Sequence, residues 1–278
     1  MMLEQSKIAF VGSGVMAEAM IKGLLRQGLV IPSQIKASGP RPERGQELFD
    51  RYAVHTTTNN VEAVTGAEIV ILSIKPQVLC PVLEELGGQV LSEALVLSIV
   101  AGAKMDTIQR MLGTPAVVRV MPNTPAQIGM GISVWSATEA TTEDQRGQSL
   151  SILRALGEEV YVEDERYLDM ATALSGTGPA YVFLLMEAMV DAGVHLGFSR
   201  HVSERLVIET LRGSVEYARQ SPRHLAALRN QVTSPGGTSA EAIYHLEKGG
   251  LRTVLSRAIW AAYQRSRSLG SQAQSDGK

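Results

Sequence analysis

The chain has 278 residues, of which 45% are hydrophobic and 19% are charged, and its formal net charge at pH 7 is -2. This apolar content is ample for packed cores and excludes a wholly disordered chain. The near balance of charge argues against broad electrostatic binding to nucleic acid. The single cysteine, Cys80, excludes an intramolecular disulfide, and the five histidines form no close metal-ligand pair, so no metal site is expected.

Neither a targeting segment nor a membrane span is predicted. The apolar run Ile8–Val11 is too short for the hydrophobic region of a signal peptide and continues directly into glycines. The longest apolar stretch, residues 180–190, is interrupted by Glu187. We therefore expect a cytoplasmic protein that does not enter a membrane.

Strand-like and helical patterns alternate through the first 165 residues. The predicted strands cover residues 7–11, 34–38, 54–57, 68–74, 94–100, 116–120, 131–137 and 159–163. The predicted helices between them cover residues 16–27, 41–52, 78–86, 105–112 and 142–156. The runs at 68–74 and 94–100 are apolar throughout, which is typical of strands covered on both faces. The sequence therefore predicts an α/β fold with a Rossmann-type, doubly wound and mainly parallel sheet.

The strand pattern stops near residue 165, and the remaining sequence predicts helices. They cover residues 171–195, 200–218, 222–230, 239–248 and 251–269, separated by turns that contain glycine or proline. We therefore expect two domains: a Rossmann-like domain at residues 1–165 and an all-α domain at residues 166–278.

The first predicted strand leads directly into GSGVMA at residues 12–17, a G-x-G-x-x-A motif that a helix follows. In this setting Gly12 permits a tight turn, Gly14 lets the backbone approach a pyrophosphate, and Ala17 allows close packing of helix on strand. The N-terminus of the helix then favours the negative charge of the pyrophosphate. The alternative is a glycine turn in an unrelated α/β fold.

The end of the second predicted strand bears on the choice of cofactor. An NAD-preferring site would place an acidic residue near Ser38, but the first acidic residue after Ser38 is Glu43. Ser38, Arg41 and Arg44 suit a 2′-phosphate instead, because hydroxyl and guanidinium groups donate hydrogen bonds to it. NADPH is therefore the expected cofactor and NADH the alternative; in another interpretation both arginines are simply solvated at the start of a helix.

Two turns in the second half combine glycines with hydroxyl groups: LSGTGP at residues 174–179 and VTSPGGTS at residues 232–239. Both are predicted to open into helices, whose N–H groups would form a seat for a carboxylate. The alternative for each is an ordinary capped helix start. No lysine occurs between Lys104 and Lys248, so few proton donors are present. An iminium substrate fits this chemistry, because it is already electrophilic.

Five motifs in order make the chain resemble the pyrroline-5-carboxylate reductase family over nearly its whole length. They are G-x-G-x-M-A at residues 12–17, S/A-x-K-P at 73–76, R-x-M-P-N-T-P at 119–125, A-x-S-G-S/T-G-P-A-Y at 173–181 and V-T-S-P-G-G-T-T at 232–239. The resemblance implies NADPH-dependent hydride transfer to the C=N bond of 1-pyrroline-5-carboxylate. The product would be L-proline, in the last step of proline biosynthesis.

The resemblance also implies roles for individual residues. The implied cofactor-binding residues are Gly12, Ser13, Gly14, Val15, Met16, Ser38, Gly39, Arg41, Asn60, Ser73, Ile74, Lys75, Pro76, Val100, Ala101, Gly102, Met121, Pro122 and Asn123. The implied substrate-binding residues are Ser175, Gly176, Thr177, Gly178, Thr238 and Ser239, and the last two are also the implied catalytic residues. Many relatives carry threonine where this chain has Ser239; serine keeps the hydroxyl, so we expect activity to persist.

The family resemblance further implies a homodimer and leaves a higher assembly of dimers open. Residues 182–186 are apolar for five successive positions, and a helix that is apolar all round must be buried. A domain of roughly 110 residues offers limited interior for so much apolar surface. A second copy of the chain would cover it.

Three other functions compete with this interpretation. A β-hydroxyacid dehydrogenase would need a catalytic lysine and asparagine where this chain has Val182 and Met186. Another cyclic imine or imino-acid reductase on the same scaffold is the closest alternative, since pocket shape sets the ring size. A non-catalytic nucleotide-sensing protein would have no need of the hydroxyl-rich turns.

Overall fold

The computed structural model describes residue 3 and residues 5–275, with side-chain environments as far as residue 269. Within this part of the chain, eight strands form one sheet. They are β1 (Ile8–Val11), β2 (Ile35–Ser38), β3 (His55–Thr57), β4 (Ile69–Leu72), β5 (Leu95–Ser98), β6 (Val117–Met121), β7 (Gly131–Ala137) and β8 (Gly157–Tyr161). Their order is β3-β2-β1-β4-β5-β6-β7-β8, and neighbouring strands are parallel except for the antiparallel pair β6 and β7.

Helices connect the strands and then make up the remainder of the described chain. Those of the sheet region are α1 (Val15–Arg26), α2 (Pro42–Tyr52), α3 (Asn60–Val64), α4 (Leu79–Leu86), α5 (Met105–Leu112), α6 (Glu143–Arg154) and α7 (Arg166–Ala171). A π-helical turn, Thr172–Gly176, then leads into α8 (Gly178–His195). The last four are α9 (Arg200–Gln220), α10 (Leu225–Gln231), α11 (Thr238–Lys248) and α12 (Leu251–Ser275).

Both faces of the sheet are covered, as the apolar strand sequences predict. Phe10 and the strand residues on the same face of the sheet pack against α1, α2 and α6, in a cluster that contains Leu24 and Ile152. Val11 and Leu72 point to the opposite face and pack against α3, α4 and α5. Because successive side chains of a strand alternate between faces, an all-apolar strand supplies both layers. The prediction of a doubly wound, mainly parallel sheet is confirmed.

The chain forms two compact units, whose border differs from the predicted one. The first unit runs to Gly178 and resumes at Ala261, and the second is Pro179–Trp260. The division at residue 165 came from the end of the strand pattern. In the structure the first helical turns after that point, α7 and the π turn, stay with the sheet, and so does the second part of α12.

Three further details differ from the sequence predictions. The short helix α3 was not predicted; Asn59 caps it by accepting a hydrogen bond from the Glu62 N–H at 3.0 Å. Strand β8 begins two residues earlier than predicted, at Gly157. The predicted turn at residues 174–179 does not open a new helix, since it lies inside the helical stretch Arg166–His195 as a π turn.

That same stretch, Arg166–His195, is long and apolar enough to cross a membrane by length and composition alone. Much of its apolar surface is exposed in the single chain; Phe183 and Leu184, for example, are 60% and 67% exposed. A buried core helix of an assembled protein passes the same test, so this surface calls for a covering partner of some kind.

Candidate active site

The predicted cofactor residues gather at the carboxyl edge of the sheet. Strands β1, β4, β5 and β6 are parallel to one another, so the loops that follow them leave from the same edge. The strand order reverses between β1 and β4, because β2 and β3 lie on one side of β1 and the later strands on the other. Such a reversal opens the crevice in which doubly wound sheets bind their ligands.

The turn between β1 and α1 fits a diphosphate. Gly12 has φ +105°, and a Cβ there would lie 2.6 Å from the Ser73 carbonyl oxygen, so only glycine is accommodated. The Ser73 hydroxyl donates to the Gly12 carbonyl oxygen at 2.8 Å, which joins the two predicted cofactor loops. Gly14 is the N-cap of α1 without a side-chain cap, and a Cβ there would meet open space. The N–H groups of the first helical turn therefore face room for an anion.

The residues around the start of α1 differ in exposure and in contacts. Val15 is 61% exposed at the helix start, whereas Met16 packs against the core cluster under β1. Ser13 lies against Gly39, where a Cβ would collide with the Ser13 hydroxyl. The end of β2 is thus held close to the diphosphate turn, as a dinucleotide site requires.

Ser38 and Asn60 are brought together. Ser38 is fully buried, and its hydroxyl donates to Asn60 Oδ1 at 2.8 Å. The Asn60 amide in turn donates to Glu85 Oε2 at 2.8 Å. The Ser38 side chain therefore orients Asn60 in this structure, and its contact with a cofactor stays a prediction.

The two arginines near the end of β2 differ sharply. Arg41 is exposed at the N-cap of α2, and no ion pair is described for it within residues 5–269. Arg44 is only 13% exposed; it pairs with Glu18 and with Glu47 (2.7 Å), and its Nε donates to the Ser13 carbonyl oxygen at 3.0 Å. The predicted phosphate contact of Arg44 is therefore contradicted here, because its donors are engaged by carboxylates and by the loop.

Glu18 is the centre of this charged cluster. Burial by itself would raise the pKa of its carboxyl, but hydrogen bonds from Arg44, Tyr52 and Arg51 outweigh that effect and lower the pKa from the usual 4.5. The same hydrogen bond raises the pKa of the Arg44 guanidinium. The cluster stays ionised at neutral pH and fixes the shape of the diphosphate turn through Ser13.

The loops after β4 and β5 present backbone more than side chains. Ile74 and Pro76 are partly buried, while Lys75 is exposed at the N-cap of a short 3₁₀ turn, Pro76–Val78. After β5, the predicted cofactor residues Val100 and Gly102 are buried and Ala101 is half-buried; Gly102 adopts φ +74°. A cavity of about 890 Å³ opens beside Gly102, with Tyr167, Asp169 and Met170 in its wall.

The end of β6 meets the π turn. Met121 packs with Leu168 and Ala171, and a Cβ on Gly176 would lie 3.3 Å from the Met121 sulfur. Asn123, which follows the buried Pro122, donates to the Ser175 carbonyl oxygen at 3.3 Å and accepts from the Ile132 N–H at 3.0 Å. The structure thus joins the predicted cofactor residues after β6 to the predicted substrate residues of the π turn.

The hydroxyls of the π turn point back into their own helix. Ser175 Oγ donates to the Ala171 carbonyl oxygen at 3.0 Å, and Thr177 Oγ1 donates to that of Thr172 at 2.8 Å. The Thr177 N–H bonds to the same Thr172 carbonyl, which is the i−5 spacing of a π turn. Residues 175–178 therefore lie within a continuing helical stretch and not at the start of a new helix, while substrate binding by them stays a prediction. Their hydroxyl oxygens offer lone pairs instead of protons.

The other predicted turn does open a helix. Helix α11 begins at Thr238 with Gly237 as its N-cap, and no side-chain cap is described there. Gly236 adopts φ +70° in the preceding turn, a conformation that favours glycine. Thr238 and Ser239 therefore stand in the first turn of a helix, as the sequence predicts, and anion binding at this helix start stays a prediction. They belong to the second compact unit.

Arg119 was quoted within a motif but received no predicted role. It is 3% exposed in β6 and pairs with Asp169 at 2.8 Å and with Glu165 at 3.4 Å. A charged residue in the otherwise apolar run AVVRV was the signal that could have found it, because a buried charge needs a partner.

Comparisons with known proteins agree with this geometry. The family described as pyrroline-5-carboxylate reductase dimerisation matches residues 165–269. The family described as NADP oxidoreductase, coenzyme F420-dependent, matches residues 7–102. The first match lies in the helical part of the chain, and the second covers the strands β1 to β5 and the loops between them.

Full-length relatives carry the same name. Pyrroline-5-carboxylate reductase of Pseudomonas aeruginosa is 41% identical to this chain, in an alignment that covers 96% of this chain and 97% of the relative's length. The enzyme of Synechocystis is 38% identical over 95% of this chain and 98% of its own. The crystal structure of the Plasmodium falciparum pyrroline carboxylate reductase, with NADP bound, has a TM-score of 0.89 and 30% identity, and covers 96% of this chain and 99% of its own.

These similarities extend across both compact units and include a nicotinamide-dependent family at the very loops that the fold places at the carboxyl edge. The chain therefore belongs to the pyrroline-5-carboxylate reductase family, whose members are NAD(P)H-dependent oxidoreductases of proline biosynthesis.

Proposed function

We propose that the chain reduces the C=N bond of 1-pyrroline-5-carboxylate with NADPH and so forms L-proline. The observation that carries the proposal is the π turn Thr172–Gly176, which packs on Met121 at the carboxyl end of β6. It brings the family's substrate motif to the edge where a doubly wound sheet binds its nucleotide. A reduced nicotinamide supplies the hydride when bound.

The chain's own residues would hold the cofactor along this edge. The first turn of α1, open at Gly14, suits the diphosphate, and the backbone of residues 100–102 suits the nicotinamide end. Arg41, exposed and without a described ion pair, would bind a 2′-phosphate. This last contact favours NADPH, with NADH as a poorer donor of the same hydride.

The substrate residues would act by hydrogen bonding more than by proton transfer. Ser175 and Thr177 donate their protons to helix carbonyls, so their oxygens are left to accept from an iminium N–H. Thr238 and Ser239 would hold the substrate carboxylate or the ring nitrogen from the N-terminus of α11. An iminium carbon needs little further activation, which agrees with the scarcity of acid–base side chains.

A homodimer would complete this enzyme. The match to a dimerisation family at residues 165–269 supports it, and so does the exposed apolar surface of α8. We take that surface for a protein interface, not a membrane span, and expect the enzyme in the cytoplasm. The dimers could assemble further. The net charge of -2 does not favour binding to nucleic acid.

Turnover tests the reaction directly. NADPH oxidation should be followed with 1-pyrroline-5-carboxylate and with its six-membered homologue, and the five-membered ring should give the higher kcat/KM. The opposite preference would favour another cyclic imine reductase, and no turnover of either ring would favour a nucleotide-sensing protein.

Ser239→Ala tests the proposed seat at the second unit. Losing a hydrogen bond to a charged group weakens binding by about 1.5–3 kcal/mol, so kcat/KM should fall about ten- to a hundredfold while the dimer stays folded. Ser239→Thr, which keeps the hydroxyl, is the matched control and should retain activity. Unchanged kinetics in the alanine variant would remove Ser239 from the site.

A further inference from the structure

Arg119 is a buried charge that the reaction outlined above does not use. It lies in β6, two residues before Met121, and only 3% of its side chain is exposed. A guanidinium in such a place is destabilising unless charged or polar groups surround it, and its presence in a strand that needs only apolar residues requires a reason.

Its two partners belong to one helix. Arg119 Nη2 lies 2.8 Å from Asp169 Oδ1, and Nη1 lies 3.4 Å from Glu165 Oε2. Asp169 is within α7, and Glu165 is its N-cap. The two nitrogens of one planar group thus hold α7 at its start and near its middle, a geometry that lysine cannot reproduce with a single nitrogen.

Each carboxylate also accepts a bond from another element of the first unit. Asp169 Oδ1 accepts from the Ser266 hydroxyl of α12 at 3.2 Å. Glu165 Oε2 accepts from the Met105 N–H at the start of α5 at 3.1 Å. The carboxylates are therefore themselves oriented, so α7 has one defined position against β6.

That position determines where the π turn lies. Arg119 and Met121 point to the same face of β6, since side chains alternate along a strand. Met121 packs against Leu168 and Ala171 of α7 and against Gly176. Only three residues separate Asp169 from Ala173 in the π turn. A shift of α7 would therefore move Ser175 relative to Met121.

We propose that Arg119 is a positioning residue for hydride transfer: through Glu165 and Asp169 it holds α7 so that the π turn meets Met121 and Asn123 in register. The proposal rests on the proposed function, because it takes Ser175 and its neighbours as the substrate seat. Arg119 itself touches neither substrate nor cofactor in this assignment.

The experiment uses the full-length enzyme with Arg119→Lys and Asp169→Asn, each alone and combined with Ser175→Ala. Asp169→Asn keeps the shape of the side chain, so it serves if the lysine variant folds poorly. Arg110→Lys is the matched control, because Arg110 pairs with Asp106 at 3.3 Å on the exposed face of α5. Kinetics with 1-pyrroline-5-carboxylate, NADPH affinity by fluorescence and sedimentation are measured for each variant.

We expect kcat/KM for the substrate to fall about ten- to a hundredfold in Arg119→Lys and in Asp169→Asn, as for a misplaced orienting group. NADPH affinity and dimer content should stay within about twofold of wild type, which a merely structural role would not allow. Adding Ser175→Ala should lower kcat/KM less than the product of the single effects. Arg110→Lys should match wild type.

Wild-type kcat/KM in both single variants, or a loss that parallels dimer content or NADPH affinity, would overturn the positioning role. Multiplicative effects of Arg119→Lys and Ser175→Ala would do the same. Absence of pyrroline-5-carboxylate turnover in the wild-type enzyme would instead overturn the proposed function, so the two failures are distinguishable.

Discussion

The sheet-bearing unit and the helical unit Pro179–Trp260 use their apolar residues in opposite ways. In the first, the strands bury Phe10, Ile71 and Leu97 completely. In the second, the described apolar side chains that are buried are Val190, Val207 and Leu228, which keep 7%, 7% and 9% exposure, while many larger ones stay exposed. The first unit buries its apolar core within a single chain. The second unit leaves many of its large apolar side chains exposed.

The difference has an energetic consequence. Burying a large aliphatic side chain contributes about 1.5–3 kcal/mol, so leaving several exposed consumes most of a typical stability margin of about 5–15 kcal/mol. The helical unit therefore needs the second copy that the family match indicates. We expect no stable folded monomer, and the apparent Tm should rise with protein concentration.

Leu184→Glu should have the largest effect, since it should disrupt the dimer. Leu184 is 67% exposed on α8. A carboxylate buried there should raise the dimer dissociation constant by at least about a hundredfold, because lost burial and desolvation together exceed about 3 kcal/mol. Activity should fall with assembly, although the residue matches no catalytic position. Sedimentation velocity and NADPH oxidation, measured together, check this.

Ile31→Glu is the control for that variant. Ile31 is 61% exposed in the sheet-bearing unit, so the same chemical change there should leave the dimer and its activity intact. A folded, active monomer of wild type at micromolar concentration, or an intact Leu184→Glu dimer, would show that the helical unit closes its core without a partner.

Arg41→Ala should change cofactor binding and leave the dimer intact, because Arg41 lies in the sheet-bearing unit. Loss of a guanidinium–phosphate contact should raise KM for NADPH about ten- to a hundredfold and leave KM for NADH unchanged. Sedimentation should show the wild-type dimer.

Arg44→Ala is its counterpart. Arg44 binds the Ser13 carbonyl oxygen and Glu18, so its loss should raise KM for NADPH and KM for NADH by similar factors. If Arg41→Ala affects NADPH and NADH equally, the phosphate contact lies elsewhere.

Glu18→Gln should have the smallest effect, and its clearest readout is the stability of the fold. The folded pKa of Glu18 lies below its usual 4.5, so the carboxylate stabilises the fold above that pH and the contribution disappears as pH falls through the folded value. The variant should lose about 1 kcal/mol at pH 7, or about 2–4 °C in Tm, and the difference should shrink toward pH 3. Thermal unfolding at fixed concentration across this range measures it; a constant difference would assign the loss to packing.

Much of the sheet-bearing unit could be predicted from the sequence because its signals are local. Continuous apolar runs predicted the strands, and GSGVMA at the end of the first run predicted the glycine turn that precedes α1. The contacts that decide side-chain roles are not local. Arg44 meets Glu18 across 26 residues, and Ser38 meets Asn60 across 22, so composition near β2 suggested phosphate contacts where the fold makes internal ones.

The π turn shows the same limit within one helix. Serine, glycine and threonine at residues 175–178 are typical of a turn, so the sequence predicts a helix start there. In the structure the Ser175 and Thr177 hydroxyls bond to carbonyls of the preceding turn, which lets the helix continue. Packing of Gly176 on Met121 explains the small residue, and that neighbour is 55 positions away.

A π turn holds one residue more than an α-helical turn, so chain length matters at Thr172–Gly176 as much as residue identity. Removing a single residue there would restore regular α spacing and rotate every later residue of the helix by about 100° around its axis. A substitution alters one side chain, whereas such a deletion would change which face the following apolar residues present. Single-residue insertions and deletions should therefore be rarer in this stretch than in the open loops of the same chain.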